Sequence, residues 1–292
     1  LKLAAIDIGS NAARLLITEV IQDDKNNTVF NKLNLIRVPL RLGFDVFEYG
    51  VIPKAKTGMI LQTMKAYKHL LNAYGVTNVI ACATSAMRDA KNAADIIRKV
   101  KLETGISIEV ISGEMEAGLI YENHIAENLD KDHSYMYIDV GGGSTELTFF
   151  SNGKLKAKES FNIGTIRLLK NLVKESAWDD MKDHIKSYTK GEKEVIAIGS
   201  GGNINKIFSM SKRKDPKPLP FDLLRDYYKE LNSVSLAERI KIYNLREDRA
   251  DVIVPALLIY INAMRWAGAT EIYVPRIGLV DGLIQHLWEE VK

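Results

Sequence analysis

Two glycine turns carry the residues best able to do chemistry. Asp7-Ile8-Gly9-Ser10-Asn11 closes an apolar run at 3–8, and Asp139-Val140-Gly141-Gly142-Gly143-Ser144-Thr145-Glu146 closes another at 135–140. A strand that delivers an Asp and then turns on glycine lets backbone N–H groups converge with no Cβ in the way, which makes a concave anion site. Three successive glycines cost about 0.5 to 1 kcal/mol each relative to Ala in regular structure, so a merely structural hairpin rarely needs them. Phosphate is the expected ligand. Carboxylates beside a phosphate repel it unless a cation intervenes, and Mg²⁺ is held by one or two carboxylates with phosphate oxygens and waters. Asp139 is the first metal candidate, for Mg²⁺ or another divalent cation, and Asp7 and Glu146 would complete the hard-oxygen surroundings.

Two more turns belong with these. Residues 83–89, Ala-Thr-Ser-Ala-Met-Arg-Asp, follow an apolar run and offer Ser85, helix-start N–H groups and Arg88, whose guanidinium can grip phosphate bidentately. The alternative for Arg88 is a salt bridge with Asp89 or another neighbour. Gly199-Ser200-Gly201 is the counterpart later in the chain, again at a strand-turn-helix junction. A hydrolase also has to orient water. Ser112 is placed to cap a helix with Glu114 and Glu116 in its first turn, where negative charge is favoured. That suffices for Glu114, while Glu116 is open to a second reading as a general base or water-positioning group.

The elements that position these residues alternate. Apolar runs at 3–8, 15–21 and 29–40 read as strands, and Pro53 opens a helix to about Tyr74. Residues 79–83 read as a strand, 93–102 as a helix, 107–111 as a strand and 114–128 as a helix. The pattern then restarts with strands at 135–140, 146–150 and 154–161, helices from 166 to 188 and a strand at 195–198. The remainder reads as largely helical, through 218–220 and 251–266, before a strand at 271–274 and a helix at 279–290. Alternation of this kind predicts an α/β fold.

The restart points to an internal duplication. At an offset of 132, residues 5–9 (Ala-Ile-Asp-Ile-Gly) fall on 137–141 (Tyr-Ile-Asp-Val-Gly), and at an offset of 116 residues 79–85 fall on 195–201. Arg14 falls where Glu146 stands, so the first half reads as a phosphate clamp and the second as the metal side. Two domains are expected, 1–125 and 126–292, with the helix at 279–292 able to pack back on the first and a boundary near 122–133.

The bulk numbers fit a two-domain globular protein: 292 residues, 46% hydrophobic, 26% charged and net charge +3. No apolar run reaches the length of a membrane span, and the N-terminus lacks the basic, apolar and small-residue stretches of a secretory signal, so a cytoplasmic location is expected. The single Cys82 excludes an intramolecular disulfide and a Cys-rich metal site. Lys212-Arg213-Lys214 lies beside a Pro-rich turn and reads as a solvated loop rather than a nucleic-acid groove.

Taken together, the motifs resemble the exopolyphosphatase and guanosine pentaphosphate phosphohydrolase (Ppx/GppA) family over nearly the whole chain. The markers are Asp7 to Asn11, Arg41-Leu42-Gly43, Ala83 to Arg88, Ile111-Ser112-Gly113 with Glu116-Ala117, Asp139 to Glu146, Ile163-Gly164-Thr165 with Arg167-Leu168, and Arg249 to Ile253. The resemblance implies two ribonuclease-H-like (actin-like ATPase) domains with the active site in the interdomain cleft. It implies a catalytic Glu116 that activates water, a divalent metal near Asp139 and Glu146, and terminal phosphate held by Ser10, Asn11, Ser85 and Arg88. The loop Gly141, Gly142, Gly143, Ser144 and Thr145 would lie opposite. Substrates would be polyphosphate or phosphorylated guanosine or adenosine nucleotides, with a homodimer as the family-level assembly and neither nucleic acid nor membrane as partner. Ala256 and Val280 depart from the family pattern and bear on the nucleotide side. Ending at Lys292, the chain looks like a short form without further C-terminal helical domains. The competing reading is a nucleotide- or alarmone-binding regulator that hydrolyses little; a sugar kinase of the same superfamily fits less well at Glu116 and residues 141–146.

Overall fold

A computed structural model describes residues 1–22, 27–121, 133–192, 194–214 and 216–292. In chain order the elements begin β1 (Lys2–Ile8), β2 (Ala13–Gln22), β3 (Thr28–Val38), α1 (Gly43–Tyr49), α2 (Lys54–Tyr74), β4 (Asn78–Ala83), α3 (Ser85–Asp89), α4 (Ala93–Thr104), β5 (Glu109–Val110) and α5 (Gly113–Tyr121). They continue with β6 (Ser134–Val140), β7 (Thr145–Ser151), β8 (Lys154–Phe161), α6 (Thr165–Leu169), α7 (Glu175–Thr189), β9 (Val195–Ser200), α8 (Gly202–Met210) and β10 (Leu219–Pro220). The last are α9 (Phe221–Asn232), α10 (Leu236–Tyr243), α11 (Glu247–Ala250), α12 (Ile253–Ala267), β11 (Glu271–Tyr273) and α13 (Leu279–Val291). Two compact units result, Leu1–Asn123 with Leu279–Lys292, and His124–Gly278. The boundary expected at 125/126, and the part of the expected 114–128 helix beyond residue 121, lie outside the described residues.

Unit 1 is built on a five-stranded sheet in the order β3-β2-β1-β4-β5, with β1 antiparallel to β2 and parallel to β4. The continuous apolar run of β1 follows from its central place, because a strand covered on both faces has no polar side to show. Ala4, Ile6 and Ile8 enter a core with Ile60, Met64, Tyr67 and Leu71 of α2. Leu3 and Ala5, on the other face, pack with Leu283, Ile284 and Leu287 of α13. The spacing of 60, 64, 67 and 71 is one helical stripe, Pro53 supplies the preset φ at its start, and Gly75 ends it in the left-handed conformation with its N–H returned to Leu71 and Asn72 carbonyls.

Unit 2 repeats the plan. Its sheet runs β10-β11-β9-β6-β7-β8, with β6 antiparallel to β7 and parallel to β9. Helix α12 is buried nearly all round, through Val254, Leu257, Tyr260, Ala263 and Met264 among others. The segment Glu247–Ala267 has the length and apolarity of a membrane span, yet its apolar residues belong to the unit 2 core.

Three expectations are corrected. Leu219–Pro220, read inside a helical region, pairs with Ile272 and Glu271 at the sheet edge, and two residues are too few to show alternation. Gly43–Tyr49 is a helix where none was expected, its glycine start having masked it. The strand at 107–111 shrinks to Glu109–Val110.

Beside β7 and β8, His184 of α7 meets Phe161 edge-on and Tyr188 at a tilt, with ring centroids at 5.4 and 4.9 Å. Burial pulls its pKa below the ordinary 6.5, against the opposing charge of Glu159. A folded-state pKa below the unfolded value means that the unfolded chain binds the extra proton first, so stability falls as pH drops through 6.5. Urea midpoints of unit 2 unfolding measured from pH 7.5 to 5.5 should therefore decline, and His184→Phe should flatten part of that decline. A variant with the parent's pH profile would refute the assignment.

Candidate active site

In unit 1 the end of β1 sets Asp7 opposite Arg14 of β2, and Arg14 Nη1 lies 2.6 Å from Asp7 Oδ2. Burial nevertheless pushes the Asp7 carboxyl above its ordinary range, outweighing the charge and hydrogen bond of Arg14. The turn beyond it is tied by Gly9 N–H to Ala12 O at 3.0 Å and by Gly43 N–H to Ser10 O at 2.9 Å. Those bonds aim Ser10 at α3, where its Oγ meets Ser85 Oγ at 2.7 Å, both residues buried. Asn11 holds the next corner by accepting from Arg41 N–H at 2.9 Å.

The start of α5 decides between the two acids of its first turn. Ser112 Oγ accepts from Met115 N–H at 3.1 Å, as an N-cap does. Glu114 is exposed and Glu116 is only 8% exposed. Arg88 Nη1 lies 3.3 Å from Glu116 Oε2 and donates to Ile111 O at 2.6 Å, so the partner of Arg88 is Glu116 rather than Asp89. Dipole complementation accounts for an exposed acid; it does not account for burying one beside a guanidinium. Cys82, on β4, is buried, and burial with the nearby carboxylates of Asp7, Glu116 and Glu109 pushes its thiol pKa well up, so it is a poor nucleophile.

In unit 2 the corresponding register sets Asp139 opposite Glu146. A carboxylate oxygen of each lies within 4.8 Å of the other. Like charges directly opposite destabilise a ladder, and a hard divalent cation is the species that reverses the sign; two carboxylates amid hydroxyls fit Mg²⁺ by donor type. Ser160 Oγ donates to Glu146 Oε1 at 2.9 Å, fixing that side chain.

The triple-glycine loop is held by α6. Gly141 O accepts from Thr165 N–H at 3.1 Å, Gly142 O from Ile166 N–H at 2.8 Å, and Gly143 O from Arg167 Nε at 2.7 Å. Because each trans peptide plane points its N–H opposite its C=O, the amides of Gly142, Gly143 and Ser144 turn away from these partners, the arrangement an anion cradle needs. Thr145 Oγ1 donates to Ile163 O at 2.6 Å and ties the loop's far end.

At the end of β9, Gly201 has φ 106° and ψ 158°, a conformation open essentially to glycine alone, and a Cβ there would sit 3.1 Å from Asp139 Oδ1. The preceding carbonyl, of Ser200, accepts from the buried Tyr260 hydroxyl, whose own pKa burial and Asp139 push up. Gly199 is filled from the other side by Ile272 and Ile204, and so packs rather than cradles.

Unit 1 thus brings together Asp7, Ser10, Asn11 and Ser85, with Arg88 paired to Glu116, and unit 2 brings together Asp139, Glu146, Gly141 to Thr145, Ser200 and Gly201. Sequence reading overlooked Ser160, Tyr260 and the place of Arg249, whose Nη1 donates to Asn203 Oδ1 at 3.1 Å above Gly202. Only the marker run at 249–253 hinted at the last.

A sheet plan repeated in two units, with an Asp at the end of each first strand and a glycine turn after it, is the actin-like ATPase fold. The Ppx/GppA phosphatase family profile matches residues 20–290, and the chain belongs to that family. It is 31% identical over 245 residues to a bifunctional 3-dehydroquinate synthase/phosphatase of Fusobacterium nucleatum, covering 82% of this chain and 35% of that protein. It is 22% identical over 304 residues to exopolyphosphatase 1 of Mycobacterium tuberculosis, covering 97% and 87%. With the guanosine-5'-triphosphate,3'-diphosphate pyrophosphatase of Vibrio parahaemolyticus it shares 24% identity over 310 residues, covering 99% and 60%. The chain therefore spans about a third of the bifunctional relative and three fifths of the Vibrio one. Among solved structures, the Aquifex aeolicus member of the Ppx/GppA family superposes with a TM-score of 0.77 at 25% identity, covering 100% of this chain and 99% of that one.

Proposed function

We propose that the chain is a metal-dependent phosphohydrolase that releases the terminal phosphate of inorganic polyphosphate or of pppGpp. The observation that carries this reading is the opposed pair Asp139 and Glu146 beside a loop whose amides form an anion cradle. Asp139 and Glu146 would hold the cation, whose chemistry when bound is to neutralise charge on phosphate oxygens. Asp7, bonded to Arg14, keeps a place in the acid surroundings. Ser10, Asn11 and Ser85 would bind the terminal phosphate, and Ser144, Thr145 and the Gly142 and Gly143 amides would take phosphate oxygens on their side. Ser200 and Gly201 would take phosphate oxygens beside Asp139 in unit 2. Arg88 uses Nη1 on Ile111 and Glu116; a guanidinium carries five N–H donors, which leaves Nε and Nη2 for phosphate while Glu116 orients and deprotonates water. Homodimeric assembly forms part of the proposal and rests on the family resemblance.

The test is phosphate release from polyphosphate, pppGpp and ATP with Mg²⁺, after EDTA treatment, and in Asp139→Asn. Release should vanish with the chelator and return with the cation, and Asp139→Asn should need more metal for half-maximal rate. Metal-independent release would refute the metal assignment. Tight nucleotide binding with no release from any substrate would favour the regulator instead.

A further inference from the structure

Three residues stand side by side at one level of the unit 1 sheet: Asp7 on β1, Arg14 opposite it on β2, and Arg37 opposite Arg14 on the edge strand β3. Residues directly opposed across antiparallel strands project from the same face, so this row presents two guanidiniums and one carboxylate. The carboxylate is bonded to Arg14 at 2.6 Å, and within the row two guanidiniums stand beside one carboxylate. Unit 2 has the same level of its sheet occupied by Asp139, Glu146 and Ser160. There the edge position is a small neutral residue, so the plan of the sheet does not require a cation at that place. Opposing two like charges costs stability, and a row that keeps both is suited to an anion.

The row is braced and well placed. The Tyr67 hydroxyl lies 3.1 Å from Ala13 O and 3.5 Å from Ile36 O, the carbonyls preceding Arg14 and Arg37. Ser10, whose hydroxyl meets that of Ser85 on α3, lies on the turn that joins β1 to β2. The chain leaving β3 returns to that turn, with Arg41 N–H on Asn11 O. At about 4.8 Å between strands, β3 lies roughly 10 Å from β1. Arg37, on that edge strand, is half-buried.

We propose that Arg37 is a specificity residue that binds a phosphate of the substrate beyond the one released. This rests on the phosphohydrolase reading and adds a second anion subsite to it. The fork of a guanidinium matches two phosphate oxygens, and an ammonium at the same place would meet them only as a point charge.

The experiment measures phosphate release from tripolyphosphate with Mg²⁺ in the parent, Arg37→Met and Arg37→Lys, with inhibition by orthophosphate as the report on the terminal subsite. Arg37→Met should raise KM for tripolyphosphate by about ten- to a hundredfold, the range for a hydrogen bond to a charged group. Its kcat should stay within about twofold and its orthophosphate inhibition constant should not change, since both belong to the terminal subsite. Arg37→Lys should recover part of the affinity, and it keeps the test open if the Met variant fails to fold. An unchanged KM, or a KM and an orthophosphate constant raised together, would overturn the proposal. Calorimetric binding of tripolyphosphate separates the two readings. A parent that binds without hydrolysing, with binding weakened in Arg37→Met, defeats the phosphohydrolase and leaves the Arg37 contact standing. A parent that neither binds nor hydrolyses defeats both.

Discussion

Glu116→Gln should lower kcat for phosphate release roughly a hundred- to ten-thousand-fold, the usual yield of a positioned general base, with the fold intact. The amide has the size of the carboxylate, and its oxygen can still accept from Arg88 Nη1, now 3.3 Å from Glu116 Oε2. What it loses is the capacity to take a proton from water. The contrasting explanation is that Glu116 complements the helix dipole at the start of α5. Under that explanation the substitution would cost about 0.3 to 1 kcal/mol of stability and leave turnover alone. Glu114→Gln is the internal control, since Glu114 lies in the same turn but is exposed. Single-turnover phosphate release and a thermal melt on both variants decide the matter. Equal turnover in Glu116→Gln and the parent would remove Glu116 from the chemistry.

Much of this arrangement was legible in the sequence because it is local. An apolar run that ends in Asp and glycine shows its strand, its turn and its acid within ten residues, and doing so twice at an offset of 132 shows the duplication. The register that sets Asp7 opposite Arg14 was not legible, because the sequence pattern starts the second strand at Leu15 and the structure starts it at Ala13. What else stayed hidden depends on contacts between distant segments. The Ser10–Ser85 pair joins residues 75 apart, and Arg88 and Glu116 are each plausible as surface residues until the structure buries Glu116. Ser160 looked like any residue of a lysine-rich edge strand, and only its position opposite Glu146 makes it a support for that carboxylate. The short β10 and the glycine-headed α1 were missed because neither is long enough for a periodic signal.

Gly164→Ala should cost about 1 to 3 kcal/mol as overpacking, and it should slow phosphate release although residue 164 lies well after the triple-glycine loop in sequence. The backbone there is extended, with φ −137° and ψ 163°, so alanine meets no dihedral penalty. The penalty is contact: the new Cβ would fall on Gly142 O and on the carbonyl carbons of Gly142 and Gly143. Backbone atoms cannot swing aside as a flexible side chain does, so either the loop or α6 must move. Movement of either stretches the bonds from Thr165, Ile166 and Arg167 to the three glycine carbonyls, each worth about 0.5 to 1.5 kcal/mol. Those same bonds turn the amides of Gly142, Gly143 and Ser144 outward, so the anion cradle should loosen with them. Gly58→Ala gives the comparison: on α2 a Cβ meets nothing within 4 Å, and alanine there should stabilise by roughly 0.5 to 1 kcal/mol through helix propensity. Urea unfolding of both variants, with phosphate release measured beside it, tests the claim that α6 and not the loop's own sequence sets the cradle. A Gly164→Ala protein with the parent's stability and rate would show that the loop holds its shape unaided.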